Sequence, residues 1–238
     1  MILTIHQPEH MPWLGFFNKA INSDIFVLLD TVQFEKDYFQ NRNRIISKKT
    51  KNEMQWITVP VRKGKHTDLI NEKIVCFDKK NKNRYLNQIH MMYSKHPFYK
   101  KTIQEIRNII NDNEVYLSKI NTRLIKHFFN LLKIDTKLVL ASDLNLKKSP
   151  PGGIVNYHIS KALNANFYLS GKSGKEYLDE KVFIEDDIKV LYQNFNHPEY
   201  IQKNKKQFIP NLSILDLIFN YESEDALNII KKGYKVNF

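Results

Sequence analysis

Two short apolar runs near the start of the chain constrain its fold more than any other feature. Residues 2–5 form an apolar run that stops before Pro8, and residues 25–29 are continuously apolar, which is typical of buried strands. Between them, Pro12 suits the first turn of a helix. The residues that follow at helical spacing are Trp13, Phe16, Phe17, Ala20 and Ile21. Two buried strands joined by a helix form a βαβ unit and imply a parallel sheet.

The rest of the chain continues to alternate between strands and helices. Residues 55–61 predict an edge strand, since Pro60 cannot donate to a ladder, and residues 81–132 predict a largely helical subregion. Further strands are expected at 137–141, 167–170 and 189–192. The run 149–153 is the strongest break, and the tail after it is expected to end in helices. We therefore predict one α/β domain over residues 1–238, with a mostly parallel, Rossmann-like sheet and an inserted or appended helical part.

Composition limits the setting and the partners. The net charge of +12 suits an anionic partner, tRNA included, but many of the lysines are scattered and no nucleic-acid motif supports that role. Cys76 is the single cysteine, which excludes an intrachain disulfide and a cysteine-based metal site. The first residues lack the pattern of a signal peptide, and no apolar run approaches the ~20 residues that span a bilayer. We expect a cytoplasmic protein without membrane insertion, and leave homo-oligomerisation open.

Polar residues follow each of the first two predicted strands. Ligands of parallel sheets bind outside the carboxyl ends of the strands, so we expect residues 6–9 and 30–33 at the mouth of one cleft. His6 and His10 would share a metal ion on a helix, but Pro8 argues against a helix, and we predict no metal site. His6 is instead expected to orient a substrate. Asp30, followed by Gln33, is either a base or ligand contact or the cap of the next turn.

Two further segments are candidates for binding anions. An arginine fork grips phosphate or carboxylate through two hydrogen bonds, and asparagine discriminates hydroxyls or amides. The first segment holds Asn41, Arg42, Asn43 and Arg44, with Lys36 nearby, and its alternative is a solvated basic turn. The second is the loop 170–175, whose small residues would let backbone N–H groups approach a phosphate or oxyanion. It lacks the spacing of a Walker A loop, and a flexible surface turn is its alternative.

Taken together, blocks along nearly the whole chain resemble the WbqC-like family of bacterial proteins. The early blocks are His6-Gln7-Pro8, Pro12-Trp13, Gly15-Phe16-Phe17, Lys19, Asp24, FVLLDTVQFEK (26–36), NRNRI (41–45), Trp56 and Val59-Pro60-Val61. The later ones are YLSGKSGKEYLD (168–179), Tyr200, Gln202, Phe208 and NLSILDLIFN (211–220). The family usually has an aromatic residue where His10 stands, which weakens a two-histidine metal site further.

This resemblance implies a place in gene clusters for O-antigen, capsule or related surface-glycan assembly. It also implies work on a nucleotide-activated sugar, such as amide formation on an amino sugar. Gln7, Tyr177 and Gln202 lie in the resembling blocks and join the predicted substrate contacts. The order of strand, histidine loop, helix and strand is also similar to the opening of the pantothenate synthetase and nucleotidyltransferase group, although the HxGH signature of that group is missing.

We therefore predict an enzyme that transfers an acyl or aminoacyl group to the amine of a nucleotide-linked amino sugar. Such a reaction needs a base for the amine proton and donors for the oxyanion. His6 or Asp30 is the expected base, and Arg42 and Arg44 would hold phosphate. Polar groups would be oriented by Asn41 and Asn43, and oxyanion or phosphate donors would come from Ser170, Gly171 and Gly174. The donor is left open among an acyl carrier, an adenylate made from ATP, and an aminoacyl-tRNA.

Two alternatives belong to other classes. A nucleotidyl or adenylyl transferase, or an amide ligase, would require ATP or another nucleoside triphosphate together with Mg²⁺. A non-catalytic partner in glycan assembly would only bind the sugar nucleotide, so that changes at His6 or Asp30 would leave pathway output unchanged.

Overall fold

The computed structural model describes residues 1–47, 50, 53–146, 153–203 and 207–236, so most of the predicted break at 149–153 lies outside it. The strands in the described part are β1 (Ile2–His6), β2 (Ile25–Leu28), β3 (Arg42–Ile46), β4 (Met54–Thr58), β5 (Lys137–Leu140), β6 (Phe167–Ser170) and β7 (Lys189–Tyr192). The α-helices are α1 (Leu14–Ile21), α2 (Lys79–Tyr93), α3 (Tyr99–Asn111), α4 (Leu117–Leu131), α5 (Ile154–Ala162), α6 (Glu180–Ile184), α7 (Ile214–Asn220) and α8 (Ser223–Lys231). Short 3-10 helices cover Ile70–Glu72, Ala141–Leu144 and Lys172–Glu176.

Five parallel strands form the main sheet, in the order β5-β2-β1-β6-β7. The register pairs Leu3 with Ile25 on one side of β1 and Thr4 with Leu169 on the other. The chain therefore builds outward from β1 through β2 and β5, and later adds β6 and β7 on the opposite side. This arrangement confirms the α/β class with a parallel, Rossmann-like sheet. The strand order reverses between β1 and β6, which is the switch point at which such sheets hold ligands.

The two faces of the sheet support hydrophobic cores of different size. Alternate side chains of a strand point to opposite faces, so Phe26 and Leu28 enter a large core while Val27 enters a smaller one. The large core contains residues of α1, the predicted helical subregion α2–α4, and the C-terminal helices α7 and α8. The smaller core is covered by α5 and α6, with Ile159 and Phe183 at its centre.

An antiparallel ribbon separate from the main sheet carries the predicted basic segment. β3 pairs with β4, with Arg44 opposite Trp56, and Ile45 and Ile57 are buried in the large core. Residues 42–44 therefore belong to a strand rather than to a solvated turn, because the buried side chains of Asn43, Ile45 and Ile46 hold the segment against the core. The predicted strand at 55–61 is β4, which ends before Pro60.

The helices in the described part of the chain are either too short or too polar to cross a membrane.

Candidate functional site

A cavity of about 590 Å³ lies at the switch point of the sheet. His6 ends β1, Gly171 follows β6 and Gln193 follows β7, and all three line the cavity. Its other polar lining residues include Glu9, Lys19, Arg44 and Lys172, and its aromatic lining residues include Trp13, Phe16, Tyr38, Phe39 and Phe195. The cavity therefore occupies the place where open parallel sheets bind ligands, and it combines apolar walls with a few polar groups.

The start of α1 is packed so closely that one position in its first turn requires glycine. The Trp13 indole lies over Gly15, and a Cβ added there would come within 2.4 Å of a ring carbon. The same indole packs edge-on against Phe195, with the ring centroids 5.2 Å apart. Gln193 donates a hydrogen bond of 3.0 Å to the Gly15 carbonyl. These contacts fix the start of α1, and with it the side chains that α1 turns toward the cavity.

Three ionisable side chains, His6, Glu9 and Lys19, line the cavity together, and we refer to them as the titrating cluster. His6 Nε2 lies 3.7 Å from Glu9 Oε1. Lys19 is 3% exposed and donates to the carbonyl of Ile5 at 3.1 Å. Glu9 is 6% exposed, and its Oε2 has no hydrogen-bond partner within the described residues. A buried carboxyl oxygen without a partner costs stability, so its presence needs an explanation.

Burial sets the protonation of this cluster. Burial raises the pKa of Glu9 to about 8, and the positive charge of Lys19 opposes the rise. Burial also lowers the pKa of Lys19 to about 7, against the attraction of Glu9. The pKa of His6 falls to about 3 through burial and the charge of Lys19, so the imidazole is neutral. Glu9 and Lys19 therefore both titrate near neutral pH, which suits groups that take up and release a proton.

His10 belongs to a second buried group, which we call the saturated cluster: His10, Tyr85 of α2 and Asn121 of α4. The two ring nitrogens of His10 lie 2.8 Å from Asn121 Oδ1 and 2.6 Å from the Tyr85 hydroxyl. Asn121 also donates to the carbonyls of Pro8 and Gln40. Because both nitrogens have protein partners, His10 has none left for a metal ion shared with His6. Elsewhere in the described ranges, no three His, Cys, Asp or Glu side chains are grouped to hold a metal ion.

The structure separates the two predicted arginines. Arg44 lines the cavity, and its guanidinium lies 5.6 Å from the centre of the Trp56 ring. Arg42 instead pairs with the Asp37 carboxylate at 3.1 Å and lies over Trp56 at 4.1 Å. Only Arg44 is therefore among the lining residues.

The side chains of the two asparagines in the same segment donate hydrogen bonds to backbone carbonyls and do not line the cavity. Asn41 donates to the Val59 carbonyl at 3.0 Å. Asn43 is fully buried and donates to the carbonyls of His10 and Met11, at 3.1 and 2.9 Å. Asn43 thus ties the ribbon to the loop that carries the titrating cluster.

Asp30 lies at the end of β2, outside the cavity lining. Its carboxylate accepts hydrogen bonds from the Ser142 N–H at 2.9 Å and the Ser142 hydroxyl at 2.7 Å. Burial raises the pKa of Asp30, and the hydrogen bonds from Ser142 oppose the rise. Both hydrogen bonds come from the short helix after β5, far along the chain, so they are not the cap of the next turn that the sequence offered as the alternative.

Three more predicted contacts also lie outside the lining. Gln7 accepts a hydrogen bond of 2.7 Å from Gln40, so it braces the loop. Gln33 lies 2.7 Å from a ring nitrogen of His66 at the surface. Lys36 is exposed to solvent.

The loop after β6 contributes Gly171, Lys172 and Ser173 to the lining, of which Gly171 was predicted. Ser170 is fully buried beside Gly174, where an added Cβ would lie 2.1 Å from the Ser170 hydroxyl oxygen. The Gly174 N–H donates to the Gly171 carbonyl at 3.0 Å. Gly174 is thus required by close packing, and its N–H is engaged within the loop.

The last two predicted contacts lie apart from the lining. Tyr177 is 54% exposed. Gln202 is buried and binds the backbone N–H and carbonyl of Ile209, and it also donates to the Asp216 carboxylate. Its hydrogen bonds are those of a structural residue beneath α7.

The sequence placed residues 6–9 at the cleft and residues 170–175 among the anion candidates but gave Glu9 and Lys172 no role. It missed Lys19, Trp13 and Gln193 as site residues. A signal for Lys19 was present, because α1 reads LGFFNKAI and a lysine inside such an apolar helix has little solvent to reach. Glu9 carried no comparable signal, since its burial depends on the ribbon and on α1.

Fold and site together define an α/β protein of the Rossmann-like class with a cavity at the switch point of its sheet. The chain belongs to the WbqC-like protein family, whose model matches residues 7–228. It is 30% identical over 224 residues to the uncharacterised protein Rv1507c of Mycobacterium tuberculosis (strain ATCC 25618 / H37Rv), covering 93% of this chain and 94% of that protein. No solved structure matches the chain.

Proposed function

We propose that this protein is a transferase of surface-glycan synthesis that moves an acyl or aminoacyl group to the amine of a nucleotide-linked amino sugar. The observation that carries the proposal is the buried carboxyl of Glu9, which lines the cavity and has one oxygen without a hydrogen-bond partner in the described residues. Burial raises the pKa of this carboxyl to about 8. General bases are tuned to the working pH in this way. Membership of the WbqC-like family supports the glycan context of the proposal.

In the proposed reaction Glu9 replaces both His6 and Asp30 as the base. The substrate amine attacks the carbonyl carbon of the acyl donor, and ionised Glu9 takes the proton that the nitrogen loses as the C–N bond forms. The same proton then passes to the leaving oxygen or sulfur as its bond to the acyl carbon breaks. The two charges favour each other, since a positive Lys19 lowers the pKa of Glu9 and an ionised Glu9 raises the pKa of Lys19.

The cavity also offers positive charge to the phosphates of such a substrate. Arg44 lines one wall without a carboxylate within ion-pairing distance among the described residues, and Lys172 lines the wall formed by the β6 loop. A guanidinium that is not already paired can bind phosphate through two hydrogen bonds. These groups fit a phosphorylated acceptor, and the donor stays open among an acyl carrier, an adenylate made from ATP and an aminoacyl-tRNA.

The test is mass spectrometry of surface glycan from a strain that lacks the gene. We expect loss of an acyl or aminoacyl decoration, restored by the wild-type gene and not by Glu9→Gln. Glu185→Gln, which changes an exposed carboxyl directly after α6, is the matched control and should restore the decoration. Full restoration by Glu9→Gln would reject the catalytic proposal and favour a binding-only partner, while loss of a whole sugar residue would reject acyl transfer.

The strand order favours adenylyl or nucleotidyl transfer as a second candidate. A sheet whose order reverses between β1 and β6 is the arrangement in which nucleotides bind at the crevice. This reaction would use ATP with Mg²⁺ and release pyrophosphate. Pyrophosphate released from ATP and an acid by the purified protein would favour it over transfer from a preformed donor.

A further inference from the structure

A row of aromatic side chains lies along one side of the cavity. Tyr38, Phe39 and Trp56 form this aromatic shelf, with ring centroids 5.4 Å apart for the first pair and 5.7 Å apart for the second. Tyr38 and Phe39 line the cavity, and Trp56 extends the row onto β4. We propose that the aromatic shelf binds the nucleobase of the nucleotide-linked substrate, an inference that rests on the proposed function.

The shelf leaves a large aromatic area in contact with water. Tyr38 is 47% exposed and Trp56 is 41% exposed, although most aromatic residues of the chain pack into its cores. Exposed aromatic surface next to a polar cavity is typical of a binding surface. A nucleobase is the part of the proposed substrate that matches it, since every base has a flat face that stacks on aromatic rings.

The two arginines near the aromatic shelf have different roles. Arg42 is held by Asp37 and lies 4.1 Å from the centre of the Trp56 ring, so it fixes the indole in place. Arg44 lies 5.5 Å from the Phe39 ring centre and 5.6 Å from that of Trp56, and it lines the cavity. Arg44 is thus placed for the phosphate that follows a stacked base, because an arginine can both bind phosphate and stack on aromatic rings.

The shelf and the titrating cluster face one cavity. The pKa of Tyr38 is raised chiefly by burial and next by the charge of Glu9, which places its hydroxyl within electrostatic reach of that carboxyl. Arg44 contacts the shelf and lines the cavity that contains Glu9. The series of shelf, guanidinium and carboxyl therefore matches the series of base, phosphate and sugar amine in a nucleotide-linked amino sugar.

Calorimetric titration of the full chain tests the inference, with UMP, CMP, AMP and GMP as base-bearing probes and ribose 5-phosphate as the probe without a base. We expect Trp56→Ala and Tyr38→Ala to weaken binding of the preferred mononucleotide about tenfold while leaving ribose 5-phosphate unchanged. Trp56→Phe should retain most of the affinity. Arg44→Ala should weaken both kinds of probe, since it removes a phosphate contact.

Tyr116→Ala is the matched control, because Tyr116 is another exposed aromatic residue with a lysine, Lys119, over its ring at 5.0 Å. It should leave all titrations unchanged. Shelf variants that bind every mononucleotide as tightly as wild type, or that weaken ribose 5-phosphate equally, would overturn the inference. Glu9→Gln should still bind the mononucleotide, so a failure of the shelf is separate from a failure of the catalytic proposal.

Discussion

Two buried polar clusters start from the same short loop and differ in how well their hydrogen bonds are satisfied. In the saturated cluster, His10 uses both ring nitrogens and Asn121 uses its oxygen and its amide hydrogens, all with protein partners. In the titrating cluster, Glu9 has one oxygen without a partner in the described part of the chain. Within that same part, Lys19 donates one hydrogen bond, to the Ile5 carbonyl, although its ammonium group has three donors.

The difference separates residues that hold the loop from residues that act on a ligand. A buried polar network with every group bonded stabilises one geometry, whereas a partly bonded one costs stability. The titrating cluster faces the cavity, where a substrate could supply the missing partners, and the saturated cluster lies between the loop and helices α2 and α4.

The largest expected effect is on the rate. Because ionised Glu9 is the proposed base, acyl transfer should rise with pH through about 8 and level off above it. Glu9→Gln should lower kcat by about a thousandfold and abolish the rise, as loss of a general base does. Lys19→Met removes the positive charge that lowers the pKa of Glu9, so it should move the rise to higher pH. A pH–rate profile that keeps its midpoint in Glu9→Gln would contradict the assignment.

A change in the saturated cluster should lower the stability of the protein rather than the rate of transfer. Asn121→Ala leaves the carbonyls of Pro8 and Gln40 and a ring nitrogen of His10 without their partner, and we expect a loss of about 3 kcal/mol in the free energy of unfolding. Urea denaturation followed by circular dichroism measures this. Asn108→Ala, on the exposed face of α3, is the control and should cost less than about 0.5 kcal/mol. Equal losses in the two variants would show that the cluster does not hold the fold.

Sequence patterns were enough to predict the sheet. Residues 2–5 and 25–29 are apolar runs of strand length, and the structure has parallel strands β1 and β2 there, with His6 at the end of β1. The helical subregion was equally visible, because α2, α3 and α4 have apolar residues at helical spacing. These elements were predictable because local periodicity indicates which side chains face a core.

The cavity was less predictable, because the set of residues that line it depends on contacts between segments that are distant in the chain. The sequence placed Asp30 and His6 side by side, but only the folded structure shows that Ser142 donates two hydrogen bonds to the Asp30 carboxylate. Likewise, Arg42 and Arg44 look equivalent until Asp37 pairs with one of them. The burial that raises the pKa of Glu9 comes from elements that are far apart in the chain, and periodicity carries no information about such contacts.

A smaller and opposite effect is expected for stability in the titrating cluster. Lys19 has a folded-state pKa of about 7, below its unfolded value of 10.5, so keeping its charge in the folded protein costs stability. That cost is complete below pH 7 and disappears as the pH rises toward 10.5. Lys19→Met should therefore raise the free energy of unfolding by about 2 kcal/mol at pH 6 while it impairs transfer. Thermal unfolding at pH 6 and pH 10 measures the gain, and a gain that is unchanged at pH 10 would exclude this cause.

The smallest expected effect is at Asp30, and it decides whether this residue supports the fold or acts on the substrate. Its carboxylate accepts two hydrogen bonds from Ser142, and an amide can keep one of them, so Asp30→Asn should cost about 1 kcal/mol in the free energy of unfolding. Transfer activity measured well below the unfolding temperature should stay within about twofold of wild type, because Asp30 lies outside the cavity lining. Ser142→Ala serves as the matched variant, since it removes the hydroxyl donor and leaves the carboxylate. If Asp30→Asn abolished transfer in a fully folded protein while Ser142→Ala did not, Asp30 would act on the substrate, and saturation of its hydrogen bonds would fail as a sign of a supporting role.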